Sequence, residues 1–183
     1  MKTLEEIMQM FPSTEKEKWS QHSNGNGWVY ITAKVSPLAF IEGVVFGDAR
    51  VSGDARVSGN AQVSGNALVS GDAWVYGNAL VFGDALVSGN AQVSGNARVY
   101  GNAWVSGNAW VFGNAWKTSP LYIQGSKHSA SNVKYGSIAI GCEVHTFAEW
   151  LEQYKAIGKA AGYNEEQIEE YKAIIDLFVK VGR

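Results

Sequence analysis

The residues able to do covalent or proton-transfer chemistry are few in this 183-residue chain: one cysteine, Cys142, and three histidines, His22, His128 and His145. Cys142 and His145 lie close enough in sequence to suggest a thiolate with its base. Thr146 and Glu149 follow directly, in the pattern of a capping box that opens a helix, so the cysteine reads first as a structural residue beside a helix N-cap. For His128 a solvated or capping imidazole is the simpler account. A histidine-built metal centre needs several imidazoles at matched spacing, which three scattered ones do not supply. Neither a metal nor another cofactor is expected, and no catalytic residue is assigned.

What the sequence has in abundance is a scaffold. From Val45 every sixth residue is valine, through Val51, Val57 and onward to Val111, and alanine stands two residues before each next valine, from Ala49 to Ala115. Residues 45–116 are thus twelve uninterrupted hexads, a period that no α-helix has. In an extended segment, residues two apart share one side, so Ala and Val point inward and the residues flanking valine point outward. Gly followed by Asn or Asp tolerates positive φ and supplies a corner to each hexad.

If three hexads close one coil, the outward positions sort into columns. After valine they read Phe46, Ser64, Phe82, Tyr100; then Ser52, Ser70, Ser88, Ser106; then Ser58, Tyr76, Ser94, Phe112. Before the next valine they read Arg50, Leu68, Leu86, Trp104; then Arg56, Trp74, Gln92, Trp110; then Gln62, Leu80, Arg98, Trp116. Outward aromatic patches mark interfaces, unless flanking elements cover them. The candidate binding residues are therefore Trp74, Trp104, Trp110, Trp116, Tyr76, Phe82, Tyr100 and Phe112. The corner acids Asp48, Asp54, Asp72 and Asp84 share their position with eight asparagines, a pattern of turn geometry and not of an acidic ladder imitating nucleic acid.

The flanks must close the ends of this rod. Leu4, Ile7, Met8 and Phe11 predict a short amphipathic helix before Pro12, and Ser23-Asn24-Gly25-Asn26-Gly27 a turn or linker. Ala33 to Val44 reads as an irregular first coil. Ile123-Gln124-Gly125 and Tyr135 to Ile140 read as one or two degenerate closing coils. Phe147, Trp150, Leu151, Tyr154 and Ile157 line one helical face, and Ile168, Tyr171, Ile174, Ile175 and Phe178 a second, a helical hairpin. The expected organisation is an N-terminal helix and linker over 1–32, a parallel β-helix over 33–140 and a C-terminal helical hairpin over 141–183, mostly β overall.

Lys+Arg 15 against Asp+Glu 17, a formal charge of −2, gives no electrostatic reason to expect nucleic acid or an anionic membrane as partner. No stretch approaches the roughly 20 apolar residues that span a bilayer. Acids near the N-terminus, where a secretory signal wants bases, and a lone cysteine lead to the expectation of a cytoplasmic protein.

The hexads resemble those of left-handed parallel β-helices, and the resemblance implies the three-hexad coil and its handedness. Acyltransferases with this repeat carry a general-base histidine on or near a coil, in a cleft between subunits of a trimer; His128, after the degenerate hexad at Ile123, is the position where such a base would fall. The carbonic anhydrases on this fold use three coil histidines, and the twelve hexads contain none. Together with Gly141-Cys142-Glu143-Val144-His145-Thr146-Phe147-Ala148-Glu149-Trp150-Leu151, the hexads resemble small repeat proteins of bacteriophages and prophages, a group that implies no activity. The expectation is a non-catalytic binding protein in the host cytoplasm, recognising a host protein through exposed aromatics, as an anti-CRISPR or other defence antagonist would, and forming a dimer or trimer. An acyltransferase-like enzyme and a structural virion component are the alternatives.

Overall fold

A computed structural model describes residues 2–113 and 115–182. Asn114, the last corner residue of the repeat, and the side chain of Ala115, its last inward alanine, lie outside the described residues. The chain divides into two compact units, Met1–Asn108 with Phe112–Ser119, and Ala109–Val111 with Pro120–Arg183.

The first unit is a parallel β-solenoid of about five turns. Each hexad forms a two- or three-residue strand ending in a corner, and successive strands fall on three sheets in rotation. Sheet I holds Trp28–Tyr30, Val44–Val45, Gln62–Val63, Leu80–Val81, Arg98–Val99 and Ala115–Trp116; sheet II holds Lys34–Val35, Arg50–Val51, Leu68–Val69, Leu86–Val87 and Trp104–Val105; sheet III holds Phe40–Ile41, Arg56–Val57, Trp74–Val75 and Gln92–Ser94. Val63 pairs with Val81 and Val81 with Val99, so a coil is eighteen residues. The inward alanines and valines from Ala49 to Val105 are at most 1% exposed. From Val45 to Val87 the residue before each valine donates its amide to the alanine carbonyl one coil on, and the residue after it to the valine carbonyl, as Arg50 does to Ala67 (2.8 Å) and Ser52 to Val69 (2.9 Å). A lumen of small side chains thus coexists with complete backbone rungs.

The corners need glycine for two reasons. Gly53 has φ of +69°, and a Cβ there would fall 2.9 Å from the carbonyl oxygen of Gly71 on the next coil. The Asn that follows glycine both donates and accepts, so a column of them is self-complementary: Asn60 Nδ2 donates to Asn78 Oδ1, and Asn78 Nδ2 to Asn96 Oδ1, each at 3.2 Å. A single acid fits the column as an acceptor, as Asp84 does for Asn66 at 3.0 Å.

The two ends of the solenoid depart from the period. In the first coil Val29, Val35 and Ile41 pair with Val45, Val51 and Val57, sixteen residues on, where corners such as Ser36-Pro37-Leu38 replace the Gly-Asx pair. That coil begins at Trp28, inside the segment read from sequence as helix and linker. Trp19–Gln21 pairs antiparallel with Trp28–Tyr30 across the Ser23–Gly27 turn and covers the sheet edge. Helix α1 (Leu4–Met10), opened by the Thr3/Glu6 capping box, buries Ile7 against Trp19, Trp28 and Val44. Trp28 Nε1 donates to Lys2 O at 2.8 Å.

At the other end Val99 pairs with Trp116, seventeen residues on instead of eighteen. Full spacing would have brought Lys117 to the inward site. The one-residue slip exchanges faces and puts the Trp116 indole inside, 0% exposed. The expectation that Trp116 faces outward is corrected: taking a charged ammonium into this apolar lumen costs far more hydration energy than taking in an uncharged indole.

In the second unit Tyr122–Gln124, Ser129–Lys134, Ser137–Ile140 and Glu143–Thr146 form an antiparallel meander, each strand paired with the next. These strands stand where degenerate closing coils were expected. The reason lies in the loops: Tyr135-Gly136 and Gly141-Cys142 join neighbouring strands through two residues, and such connections make hairpins, not coils. Helices α2 (Phe147–Ala160) and α3 (Glu165–Val181) follow, each opened by a capping box, Thr146/Glu149 and Asn164/Gln167. Trp150, Tyr171, Ile175 and Phe178 pack with Ala130, Ile138 and Ile140 of the sheet, and Trp150 Nε1 donates to Ile138 O at 2.9 Å. Among the described residues no helix is long and apolar enough to cross a membrane.

Candidate binding surface

The outward aromatics distribute over three different faces. On sheet III the residues before Ile41, Val57, Val75 and Val93 on successive coils are Phe40, Arg56, Trp74 and Gln92, in direct register. The Arg56 guanidinium lies 5.2 Å from the Phe40 ring centroid and 5.7 Å from that of Trp74, a cation between two π faces. Trp74 in turn lies 4.3 Å from Tyr76, centroid to centroid. The Trp74 indole N–H donates to Ser58 Oγ one coil back at 2.9 Å, and Tyr76 Oη donates to Gln92 Oε1 one coil forward at 3.3 Å. Phe40, Arg56, Trp74, Tyr76 and Gln92 therefore form one connected array.

On sheet I, Phe82 and Tyr100 stack at 5.1 Å and 5° between planes, with Arg98 5.9 Å from the Phe82 centroid. Phe46 of the same column turns into the N-terminal cap, 4.5 Å from Phe11. On sheet II the plain serine column meets one aromatic, Trp104. It is 55% exposed, against 37% for Trp74. The Trp104 indole donates to Ser88 Oγ at 3.2 Å, repeating the Trp74–Ser58 geometry, and its amide donates to Ser119 Oγ at 2.9 Å.

Of the residues singled out from sequence, Trp74 with Tyr76 and Phe82 with Tyr100 are neighbours, Trp104 stands on its own face, Trp110 and Phe112 are half-buried, and Trp116 is inside. Phe40, Arg56, Gln92 and the two serine acceptors were missed as partners. Their signal is legible in retrospect: Arg56 lies one coil before Trp74, and Trp74 and Trp104 each have a serine sixteen residues earlier, one coil back on the diagonal.

The candidates for chemistry lie apart. His145 Nε2 is 3.2 Å from Glu143 Oε2 and its ring meets Trp150 edge-on, because residues two apart on a strand share a face. The imidazole proposed as a base for Cys142 is thus engaged by Glu143. His128 is exposed; its ring covers Gly141, where a Cβ would lie 3.1 Å from its Cγ, and sits 5.9 Å from Tyr163. Cys142 is exposed in the neighbouring loop. His22 Nδ1 accepts from the Asn24 amide within the N-terminal turn.

Residues 49–61, 61–77, 73–89 and 91–107 match the repeat family described as YdcK beta solenoid repeat. The chain is a β-solenoid repeat protein. The matched residues all lie within the solenoid and touch neither its N-terminal cap nor residues 120–183. No curated protein and no solved structure matches the chain.

Proposed function

We propose that this protein is a non-catalytic binding protein whose solenoid presents a rigid aromatic surface to a partner protein, with the Arg56–Trp74–Tyr76 array of sheet III as the principal contact and Trp104 as a second one on the neighbouring face. The observation that carries the reading is that both exposed tryptophans are held in place by indole N–H bonds to serines of the preceding coil. An exposed indole on a fixed frame loses little side-chain freedom when a partner covers it, the condition under which Trp, Tyr and Arg contribute most at interfaces. The Arg56 cation beside Trp74 favours a partner surface with an apolar recess rimmed by a carboxylate.

An origin in a phage or prophage, and a role as antagonist of a host defence such as CRISPR, rest on the resemblance of the hexads and of residues 141–151; in that setting the partner is a host cytoplasmic protein. The test is affinity capture from the bacterial host with the wild-type protein and with Arg56→Ala, Trp74→Ala and Trp104→Ala, each confirmed folded by circular dichroism. A partner retained by the wild type and lost on Trp74→Ala and Arg56→Ala supports the reading. Retention by all three variants refutes it. Light scattering on the same samples reports whether the aromatic face joins copies of this chain into a dimer or trimer, in which case Trp74→Ala yields the monomer.

A further inference from the structure

We propose that the C-terminal unit binds a small uncharged apolar molecule, of single-ring or branched-alkyl size, in the cavity between α2, α3 and the strand Ser137–Ile140. This site is separate from the solenoid surface, and the two readings stand or fall independently.

The cavity has a volume of about 80 Å³, and Ile140, Trp150, Ile157, Ile168 and Ile175 supply its apolar wall. Its origin lies in small residues at the end of α2. A Cβ on Gly158 would lie 3.0 Å from Ile168 Cγ1, so glycine lets α2 close on α3 at that point, and Ala161, a lining residue just beyond the helix, adds only a methyl group. The space left between them and the sheet is unfilled by any side chain.

The polar groups around it set the ligand class. The Tyr171 hydroxyl is committed to the chain: it donates to His128 O at 2.7 Å and accepts the amides of Lys127 and His128. The Tyr163 phenol is pushed up to about 12, chiefly by burial and then by Tyr171, so it is neutral at physiological pH. Lys127 Nζ lies over the Tyr163 ring at 4.6 Å but spends its donors on Ala161 O and Gly162 O, the carbonyls that end α2. His128, Cys142 and Glu143 are exposed at the border. A charged ligand would surrender its hydration to an apolar wall, whereas an uncharged ring gains contact with Trp150 and the tyrosines. An apolar cavity of about 150 Å³ in another protein stays dry and takes up benzene. The present one is smaller but open at its border, so a ring enters with one edge at the mouth.

Cys142 is the only cysteine in the chain and borders the cavity, so its alkylation reports on occupancy. The experiment uses the full-length chain with toluene as the probe and benzoate as its charged counterpart, following iodoacetamide alkylation by mass spectrometry alongside thermal unfolding. At a toluene concentration of about twice its Kd, roughly two thirds of the sites are filled, alkylation slows about threefold and Tm rises. Benzoate changes neither. Ala161→Phe, outside the helix and exposed, and Ile157→Phe, half-buried, both fill the cavity and abolish the toluene effect. The proposal is overturned if toluene leaves alkylation and Tm unchanged, if benzoate acts equally, or if both filled variants respond to toluene as the wild type does.

Discussion

Replacing Trp116 by alanine tests the register slip that closes the solenoid, and the size of its effect follows from burial. Trp116 is fully buried, and removal of a buried tryptophan side chain costs about 3–5 kcal/mol. Trp104, 55% exposed, is the internal control: it retains much of its hydration when folded, and its loss costs about 1–2 kcal/mol including the bond to Ser88. A solenoid transmits such losses mainly to adjacent coils, so the assay is amide hydrogen exchange over residues 98–105, where the Tyr100 amide donates to Trp116 O at 2.9 Å. Trp116→Ala is expected to accelerate exchange there by about 10²- to 4 × 10³-fold, and Trp104→Ala by about tenfold, since each 1.4 kcal/mol is one power of ten. A companion variant, Lys117→Val, restores an inward valine at the eighteen-residue spacing and should let Trp116 return to the outside, read as a red shift of its fluorescence. Equal effects of the two alanine variants would refute the inward placement of Trp116. A Lys117→Val protein with unchanged emission would refute Lys117 as the cause of the slip.

Two further outcomes follow from the corners and the caps. Asp54 and Asp72 occupy one corner column on successive coils, where strands stack about 4.8 Å apart; Asp72→Asn removes that repulsion and allows an Asn90-type bond, raising stability by up to about 1 kcal/mol at low salt. Urea unfolding at 20 mM and 1 M NaCl checks this, and a gain that persists at high salt would show that charge repulsion is not its source. Glu149 Oε2 accepts the Thr146 amide and hydroxyl, both at 2.8 Å, and the amide bond above all holds its carboxyl below the ordinary glutamate value of 4.5. With the folded value depressed, the stabilisation is fully present above about 4.5 and is lost as pH falls through the folded value. The Tm difference between wild type and Glu149→Gln should accordingly be constant near neutrality and shrink on acidification; a difference that grows toward low pH would contradict the assignment.

The periodic part of the fold was legible because each hexad is a complete local instruction. Val63-Ser64-Gly65-Asn66-Ala67 specifies an inward face, an outward face and a positive-φ corner without reference to any distant residue. The capping box at Thr146 and Glu149 is local in the same sense, and α2 begins where its sequence predicts. Legibility failed where local pattern was ambiguous between partners. Ile123 to Gln124 and Ser137 to Ile140 are short apolar runs that fit a coil or a hairpin equally, and pairing with Ser129–Lys134 decides the matter.

Sequence by itself determined the six-residue period, the Ala/Val inward face and the list of side chains that flank each valine, and strand register then fixed the coil at eighteen residues. Tertiary structure alone decided what those flanking residues do. It joined Arg56 to Phe40 and Trp74, set each exposed indole on a serine sixteen residues earlier, turned Phe46 into the N-terminal cap and drew Trp116 inside. It also left a cavity beside Gly158 and Ala161 that no pattern announces. The physical reason is common to all of these. A two- or six-residue period assigns a direction to each side chain, but the company it keeps depends on stacking between coils and on what the chain must do where the period ends.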